Sequence, residues 1–170
     1  NTGTMNGQYS GGMCGMRLRS GIVKYCYNTG AINGTSSGGI CGNGTANSNG
    51  NTGVTIFNCL SYASGNSENN QGGITGYNTA VSGGLVNIYN CWVRGNNFTG
   101  GIASHKGGRG TLNVKNCYYI GDSSLTVGTD TNTYQTSSTD GWDDTYAFYT
   151  IGKDTGDDDG TGSIGVDLGD

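Results

Sequence analysis

The chain has 170 residues, of which 35 are glycine and none is proline; charged residues make up 12 % and the formal net charge is −4. Collagen is excluded, because it needs glycine at every third position together with proline. Charge-driven disorder is excluded by the small net charge, and a helical bundle by the scarcity of Ala, Leu, Glu and Lys. No apolar run approaches the ~18 residues of a membrane-spanning helix, so no membrane span is expected. An all-β chain with many tight turns remains. It begins at Asn1, holds an even number of cysteines and is rich in Asn, Thr and Ser. These features read as a mature or excised piece of a longer precursor in an extracellular setting, secreted or attached to a cell surface. Candidate N-glycosylation sites are Asn33, Asn43 and Asn97.

In chain order, a Gly-Gly-apolar motif recurs four times: Gly11-Gly12-Met13-Cys14, Gly38-Gly39-Ile40-Cys41, Gly72-Gly73-Ile74-Thr75 and Gly100-Gly101-Ile102-Ala103. The starts are 27, 34 and 28 residues apart. Each is followed by a block that reaches a cysteine: Val23-Lys24-Tyr25-Cys26, Ile56-Phe57-Asn58-Cys59, Ile88-Tyr89-Asn90-Cys91 and Val114-Lys115-Asn116-Cys117. Three blocks carry a further apolar residue two positions earlier, giving Val54-x-Ile56, Val86-x-Ile88 and Leu112-x-Val114. Alternation with period two predicts strands with one buried face. Repeats of this length predict supersecondary units that stack on one another.

The expected fold is therefore all-β: a parallel β-solenoid, or β-helix, of four to five coils over residues 1–121, followed by a small β-rich C-terminal cap or tail over 122–170. Stacking places Met13, Ile40, Ile74 and Ile102 in one inward column. Val23, Ile56, Ile88 and Val114 form a second, and Cys26, Cys59, Cys91 and Cys117 a third. Asn58, Asn90 and Asn116 are expected to form an amide ladder beside the third column, with Tyr25 replacing Asn in the first repeat. Segments 42–52 and 77–83 read as loop insertions outside the stack.

The succession Gly-Gly-Ile-x-Gly, Val-x-Ile-x-Asn-Cys-Tyr and Asn-Thr-Gly-x-Ile-x-Gly resembles the GLUG repeat. The segment 26–40 follows it most closely, and Asn116-Cys117-Tyr118-Tyr119-Ile120 resembles the way such arrays end. The resemblance covers roughly residues 7 to 121. It implies a secreted or surface-attached microbial protein of adhesin-like type, or a non-catalytic region of a large secreted peptidase, and it brings no catalytic residues.

Charge divides the chain. Residues 1–121 hold seven basic residues against Glu68 alone, a balance of +6, whereas 122–170 hold Lys153 against eleven aspartates, a balance of −10. Tyr146–Ile151 and Ser163–Leu168 read as strands of the cap. Asp154, Asp157, Asp158 and Asp159 are candidate calcium ligands, being hard oxygen donors close together; an EF-hand spacing fails, since Val166 stands where a bidentate Glu belongs. Cys14 and Cys41 stack one position after an inward residue. They are expected to point outward and to form a disulfide, whereas the inner cysteines are expected as buried thiols.

Catalysis has little support. His105 is the only histidine and reads as a solvent-exposed loop residue, with no acid beside it for a relay. Paired carboxylates are missing from 1–121, and no cofactor is implied beyond the candidate calcium. Seven scattered cations on an overall acidic chain argue against nucleic acid. Two non-enzymatic functions remain. One is an extracellular structural subunit whose copies associate head to tail into a filament or stalk. The other is an adhesin-type module that recognises glycan or a host surface protein through its loops.

Overall fold

The computed structural model describes residues 1–47, 53–66, 70–107, 109–115 and 117–120. The strand-like segments and candidate calcium ligands of 122–170 lie outside them, as does Asn116. Eight strands appear in chain order: β1 (Gly21–Lys24), β2 (Tyr27–Asn28), β3 (Gly53–Phe57), β4 (Leu60–Tyr62), β5 (Leu85–Tyr89), β6 (Trp92–Arg94), β7 (Thr111–Lys115) and β8 (Tyr118–Ile120). They make two separate parallel sheets of four strands, ordered β1-β3-β5-β7 and β2-β4-β6-β8.

The expected closed β-solenoid is corrected by this arrangement. Continuous strand pairing exists only in the two sheets. The remaining sides of each layer are turns tied to the next layer by isolated bridges such as Gly11↔Gly38, Cys41↔Thr75 and Thr79↔Lys106. The physical reason lies in the backbone of those sides. Ser36, Ala46, Asn78, Ala80 and Ser82 all adopt positive φ near 60°, which interrupts any extended run. Strands consequently cover only part of the described residues, and the all-β expectation holds only to that degree.

Register explains the core of the first sheet. Val23 pairs with Ile56, Ile56 with Ile88, and Ile88 with Val114, and all four are buried. Val54, Val86 and Leu112 make a parallel buried row. Ile40, Ile74 and Ile102 are fully buried opposite them. Met13 is not: at the equivalent place in the first layer it is 40 % exposed, because that layer is stacked upon from one side only. The segments expected as external loops also enter the stack. Ala46 and Ala80 are fully buried, joined by backbone hydrogen bonds from Ala46 N to Leu18 O (2.7 Å) and from Ala80 N to Thr45 O (2.8 Å).

The paired glycines have a steric cause. A Cβ on Gly38 would stand 2.1 Å from Cys41 O and 2.5 Å from Gly76 N; on Gly72, 2.1 Å from Thr75 O and 2.4 Å from Ser104 N. The second glycine of each pair faces the inward row of the second sheet. A Cβ on Gly39 would meet Ser61 Oγ at 2.2 Å, and one on Gly73 would meet Val93 Cγ1 and Gly101 O at 2.3 Å each. Gly15, by contrast, has nothing within 4 Å of a built Cβ. Gly73→Ala is expected to lower stability by at least ~1–3 kcal/mol through overpacking, and Gly15→Ala to stay within ~0.5 kcal/mol of the parent. Denaturant titration of both variants checks the glycine geometry; equal midpoints would refute it.

Candidate functional site

Alternation that buries one face of each sheet presents the other to solvent. On the first sheet Lys24, Phe57, Tyr89 and Lys115 stand in one outward column, and Ile22, Thr55, Asn87 and Asn113 in the next. The ring of Tyr25 meets that of Phe57 edge to face at 5.7 Å. Lys24 Nζ lies 5.3 Å from the Tyr25 ring centre and 5.9 Å from that of Phe57, and Lys115 Nζ 6.0 Å from that of Tyr89. On the second sheet Arg94 lies over the ring of Tyr62 at 5.3 Å. These are cation–π geometries.

An amide ladder runs beside the aromatic column. Asn113 Nδ2 donates to Asn87 Oδ1 at 2.8 Å, and Asn87 Nδ2 to Thr55 Oγ1 at 3.5 Å. This ladder replaces the expected one at Asn58 and Asn90. Those two residues turn the corner between the sheets with φ of 52° and 49°, as Tyr25 does at 54°. Both asparagines are buried there, and both amide atoms of Asn90 lack a hydrogen-bonding partner within the protein. The outer ladder had a signal in the sequence. It occupies the middle position of each Val-x-Ile block, the outward place that period two requires.

All six cysteines are free. Cys14 and Cys41 stand unbridged in the structure, and Cys41 is fully buried rather than outward. Their segments meet in isolated bridges within bends, so strand alternation does not apply to them. In the inner column each thiol donates to the carbonyl two residues before it: Cys26 to Lys24 O (3.2 Å), Cys59 to Phe57 O (3.3 Å), Cys91 to Tyr89 O (3.2 Å) and Cys117 to Lys115 O (3.2 Å). Cys26 is half-buried and Cys59, Cys91 and Cys117 are buried. The bond shared with Cys59 pushes the Cys26 thiol up, and burial pushes that of Cys91 well up. The bond between Cys41 and Cys14 acts oppositely on its two ends. It raises Cys41 and pulls Cys14, which is half-buried, down to about 7.

His105 is half-buried rather than exposed; its ring stacks on Tyr77 at 4.9 Å and 15°. Asn33 and Asn97 are exposed and Asn43 is half-buried. Among the described residues no three His, Cys, Asp or Glu side chains come together as a metal site, and no helix is long and apolar enough to cross a membrane.

The first layer differs from the others. Among the described residues, six of the seven exposed large apolar side chains fall in it: Tyr9, Met13, Met16, Ile22, Tyr25 and Tyr27, with Leu85 the exception. Its strand β1 pairs on one side only, with β3, whereas β2 pairs with β4 and has Asn1 across its other side, Asn1 N donating to Tyr27 O at 2.9 Å and Thr29 N to Asn1 O at 2.9 Å. No protein-family model, curated protein or solved structure matches the chain.

The thiol geometry yields a pH-dependent outcome. The nucleophile is the thiolate, so alkylation of Cys14 in the folded protein should accelerate as pH rises through about 7 and level off above it. Cys26 and Cys41 should stay protected until unfolding. Mass mapping after iodoacetamide at stepped pH checks this. Labelling of Cys26 as fast as Cys14, or a Cys14 rate still climbing at pH 9, would contradict the Cys14–Cys41 bond.

Proposed function

We propose that the protein is a non-catalytic extracellular structural subunit whose copies associate head to tail into a surface filament or stalk. The observation that carries this reading is the open first layer. Met13 occupies the register position of Ile40, Ile74 and Ile102, yet it is 40 % exposed where they are fully buried. Strand β1 flanks it with one side unpartnered among the described residues, which invites another chain to pair, whereas Asn1 closes the free side of β2 by donating its N to Tyr27 O and accepting from Thr29 N. The far edge of the stack is β7 and β8, whose strands run parallel to β1 and β2. Another copy joined between β7 and β1 would continue the first sheet without reversing direction. The contact joins unlike surfaces, and repetition of an unlike contact gives a filament, or a ring where the rotation closes.

Charge supports the same polarity. The basic body and the acidic segment 122–170, at +6 and −10, complement each other between copies, which favours orientation and association rate. The resemblance to GLUG arrays fits a secreted or surface setting.

Sedimentation and negative-stain microscopy test the proposal. The full chain should form elongated particles in low salt, and the charge-dependent part should fade toward 1 M, where the Debye length is ~3 Å. Met13→Asp places a charge on the open end, at a side chain already part-exposed, and should raise the concentration needed for assembly at least tenfold. A parent chain that stays monomeric at high concentration in low salt, or a folded Met13→Asp variant that assembles like it, would overturn the reading.

A further inference from the structure

The outer face of the first sheet runs from β1 at the open end to β7 at the far edge, and it has a chemistry of its own. Lys24, Phe57, Tyr89 and Lys115 form one straight column across four layers, and Asn87 and Asn113 stand in the column beside it. We propose that this face binds a linear polysaccharide that carries carboxylate groups, a polyuronate, laid along the stacking direction.

Each part of the ligand has a counterpart. The two rings are half-buried and sit two deep at the centre of the column, a fixed apolar surface for the C–H faces of successive sugar rings. Rigid aromatic side chains offer such area at little entropic cost. Asn87 and Asn113 are linked to each other, so the ladder is already ordered. Each amide carries both donor and acceptor capacity, which suits hydroxyl groups. At either end of the column Lys24 and Lys115 are exposed and held beside the rings by cation–π contact. No Asp or Glu lies among the described residues, so none of these neutralises them.

The spacing of charge selects the class of polymer. Lys24 and Lys115 are three registers apart, roughly 14 Å at ~4.8 Å per layer. A polyuronate carries one carboxylate on every sugar ring, and rings laid about one per layer would bring the carboxylates at the two ends of such a stretch to Lys24 and Lys115, with the rings between them over the aromatic and amide surface. Phosphate and sulfate recognition favours the bidentate fork of arginine, which this column lacks. The same face could not serve a neutral glucan as well, because desolvating two unneeded ammonium groups would oppose binding.

Calorimetric titration of the full chain tests the proposal with four probes at low and high salt: a linear oligogalacturonate, a neutral glucan of equal length, a heparin oligosaccharide and a single-stranded oligonucleotide. The oligogalacturonate should bind at least tenfold more tightly than the other three, and more weakly in high salt. Lys24→Gln with Lys115→Gln should weaken it at least tenfold, the fold being unaffected because both side chains are exposed. Tyr89→Leu, which keeps an apolar side chain, should also weaken it at least tenfold, and this loss should persist in high salt where the lysine effect is screened. Absence of oligogalacturonate binding would overturn the proposal. So would equal binding of heparin or oligonucleotide, or affinity unchanged in the lysine pair or in Tyr89→Leu. Met13→Asp lies away from this face and should bind the oligogalacturonate like the parent, so failure of assembly and failure of glycan binding are separately readable.

Discussion

Backbone must touch backbone at the glycine pairs, and the rest of the molecule follows from that contact. Gly39 N donates to Gly72 O at 3.1 Å, Gly73 N to Gly101 O at 3.1 Å, and the neighbouring Ile40 N to Ile74 O at 3.0 Å. Where a side chain would begin, the next layer's carbonyl already stands, 2.1 Å from a Cβ on Gly39. The interior volume those positions give up is filled from across the layer by Asn28, Ser61 and Val93, all buried. The sides between the sheets therefore need no strands. Isolated bridges at glycine suffice, and the bends between them remain free to adopt positive φ.

The corner between the two sheets depends on a different tolerance. Left-handed backbone costs an ordinary residue ~1–2 kcal/mol, and asparagine among the least. Asn58 and Asn90 take it, while Tyr25 takes it in the first layer. The turn ends the first sheet at Lys24, Phe57, Tyr89 and Lys115, and the cysteine after each corner residue turns back inward. The outward aromatic column thus owes its position to the corner, and the cysteine column owes its burial to it. Thiols donating to carbonyls two residues upstream close the corner from inside. This is why the column tolerates sulfur at every layer without bridging it.

Period-two alternation made the first sheet readable from sequence. Val23, Ile56, Ile88 and Val114 carry the signal in their spacing, and their register follows from the repeat. The glycine pairs marked the layers for the same reason. The sides made of bends were not readable, because alternation is broken where φ turns positive, as at Ser36, Ala46, Asn78, Ala80 and Ser82. Cys41 was misassigned there as outward, and Ala46 and Ala80 as external loop. Met13 shows a second limit: its sequence context matches that of Ile40, and only the position of its layer in the stack exposes it. The candidate face was present in the sequence as Lys24, Phe57, Tyr89 and Lys115, but its meaning needed register. Residues about thirty apart become neighbours only when the layers are aligned.

Cations held over rings have a consequence that salt bridges lack. A surface cation–π contact contributes ~0.5–1 kcal/mol, much as an exposed ion pair does at ~0–1 kcal/mol. The local stabilisation is therefore similar, but the ring carries no charge. An ion pair would cancel the ammonium group it orders; Tyr25 and Phe57 order Lys24, and Tyr89 orders Lys115, while leaving their charge intact. Residues 1–121, with Glu68 as their single acidic residue and a balance of +6 against −10 over 122–170, thus keep a local positive field around the ordered lysines. Such a field acts over a Debye length, ~8 Å at physiological salt. That reach spans more than one layer but falls short of the roughly 14 Å between Lys24 and Lys115, so each lysine acts on the layers beside it and the aromatic column joins the two.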